Sequence, residues 1–215
     1  MNVQPLSFKT LRVLPFVSPL MQNNIYALYD TAAKACVVID PSFRMDLFLE
    51  KLSEEGLKPE AFWLTHGHFD HFLGSGEENT RALGIPMRMD PKDEPQFRES
   101  GRFFHVPQKW FDNCPEPVMD LADGMELKVG AYTFTVLETP GHSPGSCCFY
   151  CAEAGWLFSG DLMFWHSYGR TDLMGGSEKE ILESIRSKVL TLPDETIVMP
   201  GHNDFTTVGD ERRFY

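Results

Sequence analysis

Cationic side chains are scarce in this chain: 19 Lys and Arg stand against 31 Asp and Glu, a formal net charge of −12 over 215 residues. That balance disfavours a polyanionic partner, because nucleic-acid binders carry a basic face. The expected partner is a small molecule. Cysteine is sparse and poorly placed for cross-linking, with five residues at 36, 114, 147, 148 and 151, three of them bunched. An odd, clustered set is no disulfide framework and points to reduced thiols in the cytoplasm. Cys148 and Cys151 have the spacing of a redox or zinc pair, but they lie in Cys147-Cys148-Phe149-Tyr150-Cys151. This run reads as a strand whose thiols serve as small buried hydrophobes. Long hydrophobic runs are missing too, since the apolar stretch 11–20 is interrupted by Pro15 and Pro19. Neither a membrane span nor a signal peptide is expected, and there is no low-complexity segment or linker. With 42% hydrophobic residues, the chain can build one sizeable core, so a single domain over 1–215 is the expectation.

Histidine is also rare, with seven residues, yet three of them fall in Thr65-His66-Gly67-His68-Phe69-Asp70-His71. Imidazoles at 66, 68 and 71 with a carboxylate at 70 make a ligand set suited to zinc, iron or manganese. The preceding Ala61-Phe62-Trp63-Leu64-Thr65 is short, apolar and aromatic, like a buried strand, and Gly67, Gly74 and Gly76 then break regularity. The ligands therefore sit on a loop leaving a strand. Side chains two apart in extended backbone point the same way, so His66 and His68 can face one metal while the next turn swings Asp70 and His71 toward a second.

Elsewhere the pattern alternates strands and helices. Strands are expected over 8–16, 25–29, 35–39, 61–65, 85–89, 125–129, 132–137, 147–151, 156–158 and 196–199, and helices over 45–55, 77–83 and 178–190. Strands in runs with helices between imply two sheets flanked by helices. Residues 95–120 break the pattern, with Phe97, Phe103, Phe104, Trp110 and Phe111 interleaved with Pro95, Pro107, Pro115 and Pro117. They read as a long irregular loop, either a substrate wall or a subunit contact, with a satellite hydrophobic cluster as the plain alternative. Three more strand ends carry a ligand type framed by glycine: Pro140-Gly141-His142, Ser159-Gly160-Asp161 and Pro200-Gly201-His202. Five of the seven histidines thus stand at strand-to-loop boundaries, where sites are built on rigid scaffolds. His105 and His166 fall outside the pattern.

Asp40 at the end of an early strand, His66-x-His68-x-Asp70-His71, Pro-Gly-His142, Ser-Gly-Asp161 and Pro-Gly-His202 together resemble the metallo-β-lactamase-fold hydrolases over nearly the whole chain. The resemblance implies an α/β fold, a four-layer αββα sandwich, with a dinuclear centre at one edge. By the same resemblance His66, His68 and His142 would hold one divalent ion, and Asp70, His71 and His202 a second. Asp161 would bridge the two, and Asp40 would orient ligands without binding metal. Zinc is the expected ion, with iron or manganese as alternatives. The series departs from that of the commonest true β-lactamases, which disfavours antibiotic hydrolysis.

The segment from Tyr168 through Gly169-Arg170-Thr171-Asp172 to Ser177 resembles the glyoxalase II-like branch, and also the persulfide dioxygenase branch. Pro200-Gly201-His202, the aromatic stretch 95–120 and the closing Thr206-x-Val208-Gly209-x-Glu211-Arg212 favour the compact glyoxalase II-like form, without a separate C-terminal helical domain. That resemblance implies a thioesterase in which two metals lower the pKa of a shared water toward about 7. Asp70 and Asp161 are the catalytic carboxylates in this reading, and no Ser or Cys nucleophile is required. Tyr168 is a candidate substrate contact. Asp172 is expected to fix its loop by an ion pair with Arg170, whose own role is split between structure and substrate binding. The alternatives are a mononuclear iron persulfide dioxygenase-like enzyme, a lactone hydrolase of the same fold, and a non-enzymatic module that keeps metal for stability.

Overall fold

The structure is a computed structural model and describes residues 3–215, the side chain of Phe103 excepted. One sheet has seven strands in sequence order: β1 (Leu6–Phe8), β2 (Leu11–Val17), β3 (Asn24–Asp30), β4 (Ala35–Ile39), β5 (Ala61–Trp63), β6 (Met87–Met89) and β7 (Val118–Met119). β1 to β4 pair antiparallel, and β4 to β7 pair parallel. The second sheet contains β8 (Glu126–Val129), β9 (Tyr132–Glu138), β10 (Cys147–Cys151), β11 (Trp156–Gly160), β14 (Ile197–Pro200) and β15 (Thr206–Thr207), in the order β15-β14-β11-β10-β9-β8. A ribbon of β12 (Met163–Phe164) and β13 (Ser167–Tyr168) projects beyond β11.

The helices are α1 (Met45–Glu54), α2 (Phe69–Phe72), α3 (Glu78–Arg81), α4 (Glu94–Phe103), α5 (Gln108–Phe111), α6 (Glu178–Ser184), which continues as a π-helical turn (Ile185–Val189), and α7 (Val208–Glu211). No helix among the described residues is long and apolar enough to cross a membrane.

Period-2 alternation sorts the strand side chains into three apolar layers. In β4, Val37 and Ile39 face the space between the sheets, where Trp63, Phe134, Phe149 and Phe158 pack. The Trp63 ring centroid lies 5.8 Å from that of Phe134 and 5.4 Å from that of Phe149. Cys36 and Val38 face the opposite way, onto Phe48 and Leu52 of α1. On the second sheet Leu157 and Val198 point outward to Ile181, Ile185 and Val189. Because β4 is covered on both faces it is apolar at every position, which is why 35–39 reads as a buried strand. The result is a single-domain αββα sandwich. All five cysteines are free thiols, and Cys147, Cys148 and Cys151 lie buried within β10.

Two expectations need correction. The run 8–16 is not one strand: Lys9 turns the chain at φ 50°, and β1 and β2 form a hairpin. Apolar alternation resumes on each side of Lys9-Thr10, which hides a tight turn. Residues 95–120 are not an irregular loop either, since they contain α5 and all but the first residue of α4. Pro95 stands at the first turn of α4 and Pro107 caps α5, positions where a missing N–H costs nothing. These prolines start helices. Aromatics of these two helices pack on the histidine segment, with Phe97 at 4.3 Å and Phe111 at 6.0 Å from the Phe72 ring.

Candidate metal centre

Parallel pairing in both sheets aligns several strand ends at one edge of the sandwich, where ligand sites of α/β folds form. Asp40 follows β4, Thr65 and His66 follow β5, His142 follows β9, Asp161 follows β11 and His202 follows β14, while Asp70 and His71 lie on the single turn of α2. Three groups of donor atoms converge there, each within 4.8 Å: His66, His68 and His142; Asp70, His71 and His202; and Asp40, His66 and His71. Asp161 sits between the first two, with Oδ1 3.5 Å from His71 Nε2 and Oδ2 3.7 Å from both His142 Nε2 and His202 Nε2. His105 and His166 are exposed, with the His166 ring against Phe214 at 4.1 Å.

Hydrogen bonds on the far side of the His66, His71 and His142 rings fix their orientation. The backbone N–H of Thr65 donates to Asp40 Oδ1 at 2.8 Å, and its hydroxyl to Oδ2 at 2.7 Å. The same hydroxyl accepts from His66 Nδ1 at 3.0 Å, and His71 Nδ1 donates to Asp40 Oδ2 at 2.9 Å. One buried carboxylate therefore orients two imidazoles, leaving both Nε2 atoms facing the centre. His142 Nδ1 donates to the main-chain carbonyl of Arg170 at 2.8 Å, with the same effect. Gly201 permits the close approach: a Cβ there would lie 2.4 Å from Asp161 Oδ1 and 2.7 Å from His71 Cε1.

The electrostatics split the site. Burial, with neighbouring imidazoles adding to it, pushes His66 well below its ordinary value and His68 down to about 3. Both rings are neutral donors at neutral pH. Burial opposes charge on His71 as well, but the carboxylates of Asp161, Asp70 and Asp40 outweigh it and hold its pKa up at about 10. Burial likewise works against the Asp70 carboxylate, yet His71, His202 and Asn23 hold it below the usual carboxylate range.

Whether divalent ions fit can be tested on these atoms. Among the described residues neither His66 Nε2 nor Asp161 Oδ1, both buried, has a hydrogen-bond partner, and Asp161 Oδ1 has only the ion-pair contact to His71 at 3.5 Å. Orphaned lone pairs of that kind are costly unless they bind something. Imidazoles clustered with the Asp70 and Asp161 carboxylates are a donor set for divalent cations, and the residues fit.

Two contributors are absent from the sequence expectations. Asn23, fully buried, points Nδ2 at Asp70 Oδ2 (3.1 Å) and His202 Nε2 (3.2 Å), and its Oδ1 accepts from Ser42. Asp93, also fully buried, accepts from the Gly67 amide at 2.7 Å, the Ser143 hydroxyl at 2.7 Å and the Gly145 amide. It ties the histidine loop to the His142 loop. Asp93→Ala leaves the buried Gly67 and Gly145 amides unsatisfied and turns the Ser143 hydroxyl back on Ser146, and is expected to cost about 3–5 kcal/mol. Thermal unfolding checks this, and an unchanged melting temperature would show the loops are held by other means. Little in the sequence marks either residue, because each matters only through partners distant along the chain.

Of the candidate substrate residues, Tyr168 donates its hydroxyl to Glu178 at 2.8 Å, and Arg170 forms a bidentate, exposed ion pair with Asp172 at 2.7 and 2.9 Å. Arg170 reaches the centre only through its main-chain carbonyl. Arg170→Ala is therefore expected to change stability by no more than about 1 kcal/mol and to leave metal binding intact. A loss of bound metal in that variant, measured by elemental analysis, would show that the side chain matters.

A sandwich of two sheets between helices, with a buried His/Asp constellation at the strand ends, defines a metal-dependent hydrolase. Residues 19–202 match the model of the metallo-beta-lactamase superfamily, and the chain belongs to that family. It is 39% identical over 207 residues to an uncharacterised protein of Mycobacterium leprae (93% of this chain, 94% of that one). It is 34% identical over 197 residues to a "probable metallo-hydrolase" of Bacillus subtilis (91% and 92%). With a hydroxyacylglutathione hydrolase of Haemophilus influenzae it shares 29% over 214 residues (94% and 95%). Among solved structures it is similar to BLEG-1, a B3 metallo-beta-lactamase (TM-score 0.82, 36% identity, 94% and 96% covered). It is also similar to TTHA1623 in a di-iron-bound form (TM-score 0.80, 37% identity, 94% and 98% covered). The chain is a metallo-hydrolase of this superfamily whose His/Asp clusters suit divalent metals.

Proposed function

We propose that this protein hydrolyses a small-molecule thioester, in the manner of a glyoxalase II-like enzyme, with two divalent ions. His66, His68 and His142 hold one ion, Asp70, His71 and His202 hold the other, and Asp161 lies between them. The observation that carries the metal half of this reading is the pair of atoms without a hydrogen-bond partner among the described residues, His66 Nε2 and Asp161 Oδ1, within one buried donor set; the likeness to a hydroxyacylglutathione hydrolase supports the thioester half. Zinc is the first candidate, and the di-iron-bound neighbour supports iron as the second. When bound, such ions lower the pKa of a water and polarise a carbonyl.

The chain's own residues do the rest. Asp40 and the Arg170 carbonyl keep three imidazoles in a fixed orientation. Asp70 and His202 are the more open members of the second group, with side chains 16% and 24% exposed, so that half faces the incoming substrate. Burial pushes the Cys148 thiol up to about 12, which leaves it unsuited as a nucleophile. A thiolate leaves readily, so no strong general acid is required of the site. Free thiols and an acidic chain support a cytoplasmic enzyme acting on small molecules, with neither nucleic acid nor membrane as partner.

Thioester turnover by the purified, metal-loaded chain is the test. Hydrolysis that a chelator abolishes is expected, and no turnover of any thioester by fully loaded protein would overturn the reading. Likeness to a B3 metallo-beta-lactamase makes a β-lactam the second substrate to assay. Oxygen uptake with a persulfide at one iron per chain would instead indicate the dioxygenase chemistry.

A further inference from the structure

A cavity of about 150 Å³ opens beside His68, walled by Gln96, Ser100 and Phe104 on one side and by Leu173 and Met174 on the other. It is too small for a whole ligand, since pockets for drug-sized molecules run to about 300–1,000 Å³. It matches one substituent: an apolar cavity of this volume accommodates a molecule the size of benzene.

The wall offers little to a charged or strongly polar group. Ser100 Oγ accepts from the Phe69 amide at 3.0 Å and is turned toward the Gly67 carbonyl, while Gln96 Nε2 donates to the Met174 carbonyl at 2.9 Å. Gln96 Oε1 is buried and has no hydrogen-bond partner among the described residues, and as an acceptor it disfavours an anionic group. Glu99, at the rim, is paired with Arg102 at 2.6 Å, and Arg170 is paired with Asp172. Among the described residues, no lysine or arginine lines the cavity. The apolar part is exposed where a fold alone would bury it: Met174 is 50% and Phe104 41% accessible, though the Phe104 ring leans on Phe69 at 5.3 Å.

We infer that this cavity receives an uncharged, apolar substituent of the substrate, about six carbons in size, adjoining the scissile bond held at the metal centre. The inference rests on the thioesterase reading and adds the substrate class. Such a substituent can belong to either side of the thioester, the acyl chain or the thiol. In both cases the shared chemistry is hydrocarbon, and anionic groups at that position are excluded.

The experiment has two kinetic arms and one binding arm. Straight-chain acyl thioesters of N-acetylcysteamine from two to ten carbons vary the acyl side, and acetyl thioesters of alkyl thiols of the same lengths vary the thiol side. In the series that fills the cavity, kcat/KM is expected to rise roughly four-fold per methylene, on the order of 10²-fold between two and six carbons, and then to level off. Met174→Trp should move the optimum to shorter chains and Met174→Ala to longer ones.

In the binding arm, S-ethyl and S-hexyl thioethers of N-acetylcysteamine, which cannot be hydrolysed, are titrated calorimetrically into metal-loaded protein. The hexyl compound should bind at least ten-fold tighter, with that advantage reduced in Met174→Trp. A hexyl preference without hydrolysis of any thioester keeps the cavity assignment and removes the thioesterase reading. Hydrolysis with flat profiles in both series, or equal or absent binding of the two thioethers, overturns the cavity assignment.

Discussion

Asp161→Ala is expected to lower thioester hydrolysis by at least about 10³-fold and to reduce bound metal from two ions per chain to one or fewer. The carboxylate stands between the two imidazole groups, 3.5 Å from His71 and 3.7 Å from both His142 and His202, and its Oδ1 has no hydrogen-bond partner among the described residues. Removing it takes one donor from each half of the centre and leaves the imidazoles without the anion that offsets bound cations. A thousand-fold loss corresponds to about 4 kcal/mol of transition-state stabilisation, within what metal-centred chemistry supplies. Elemental analysis of the variant beside its kinetics checks both halves. Near-normal activity with one ion per chain would contradict the two-ion reading.

Asp40→Ala is expected to cost about 3–5 kcal/mol of folding stability, a fall in melting temperature of roughly 10 °C, and to weaken metal binding about 10- to 100-fold. Asp40 is 1% exposed and accepts from the Thr65 amide, the Thr65 hydroxyl and His71 Nδ1, so alanine strands all three donors. It also sits at φ 51°, a conformation that Asp and Asn tolerate better than alanine does. Asp40→Asn retains that tolerance and one acceptor, and should recover part of the stability while His71 stays poorly oriented. Calorimetry and metal titration of both variants separate the two effects. Equal metal affinity in wild type and Asp40→Ala would show that Asp40 does not orient the ligands.

Most of the longer strands, and the histidines and carboxylates that converge at the sheet edge, are legible in the sequence because each depends on local pattern. Val37 and Ile39 facing one layer and Cys36 and Val38 the other is period-2 alternation on a strand covered on both faces. His66 and His68 joining one group with His142, while His71 joins another, follows from an extended segment running into one helical turn. What local pattern does not encode is partnership at a distance. Asn23 is 47 residues from Asp70, and Asp93 is 52 from Gly145, and each looks like an ordinary loop residue until the sheets stack. Arg170 acts on His142 through a main-chain carbonyl, which no side-chain pattern reveals. The helices at 94–111 are obscured because prolines that initiate helices look, residue by residue, like prolines that break them.

On the function proposed above, the converged histidines and carboxylates hold metal in order to cleave a thioester, and initial-rate thioester hydrolysis by one preparation of the chain, metal-free and after titration with zinc or iron, tests this most directly. No activity is expected without metal, and the rate should rise to a maximum at two ions per chain. A chain that binds two ions and hydrolyses no thioester would contradict it.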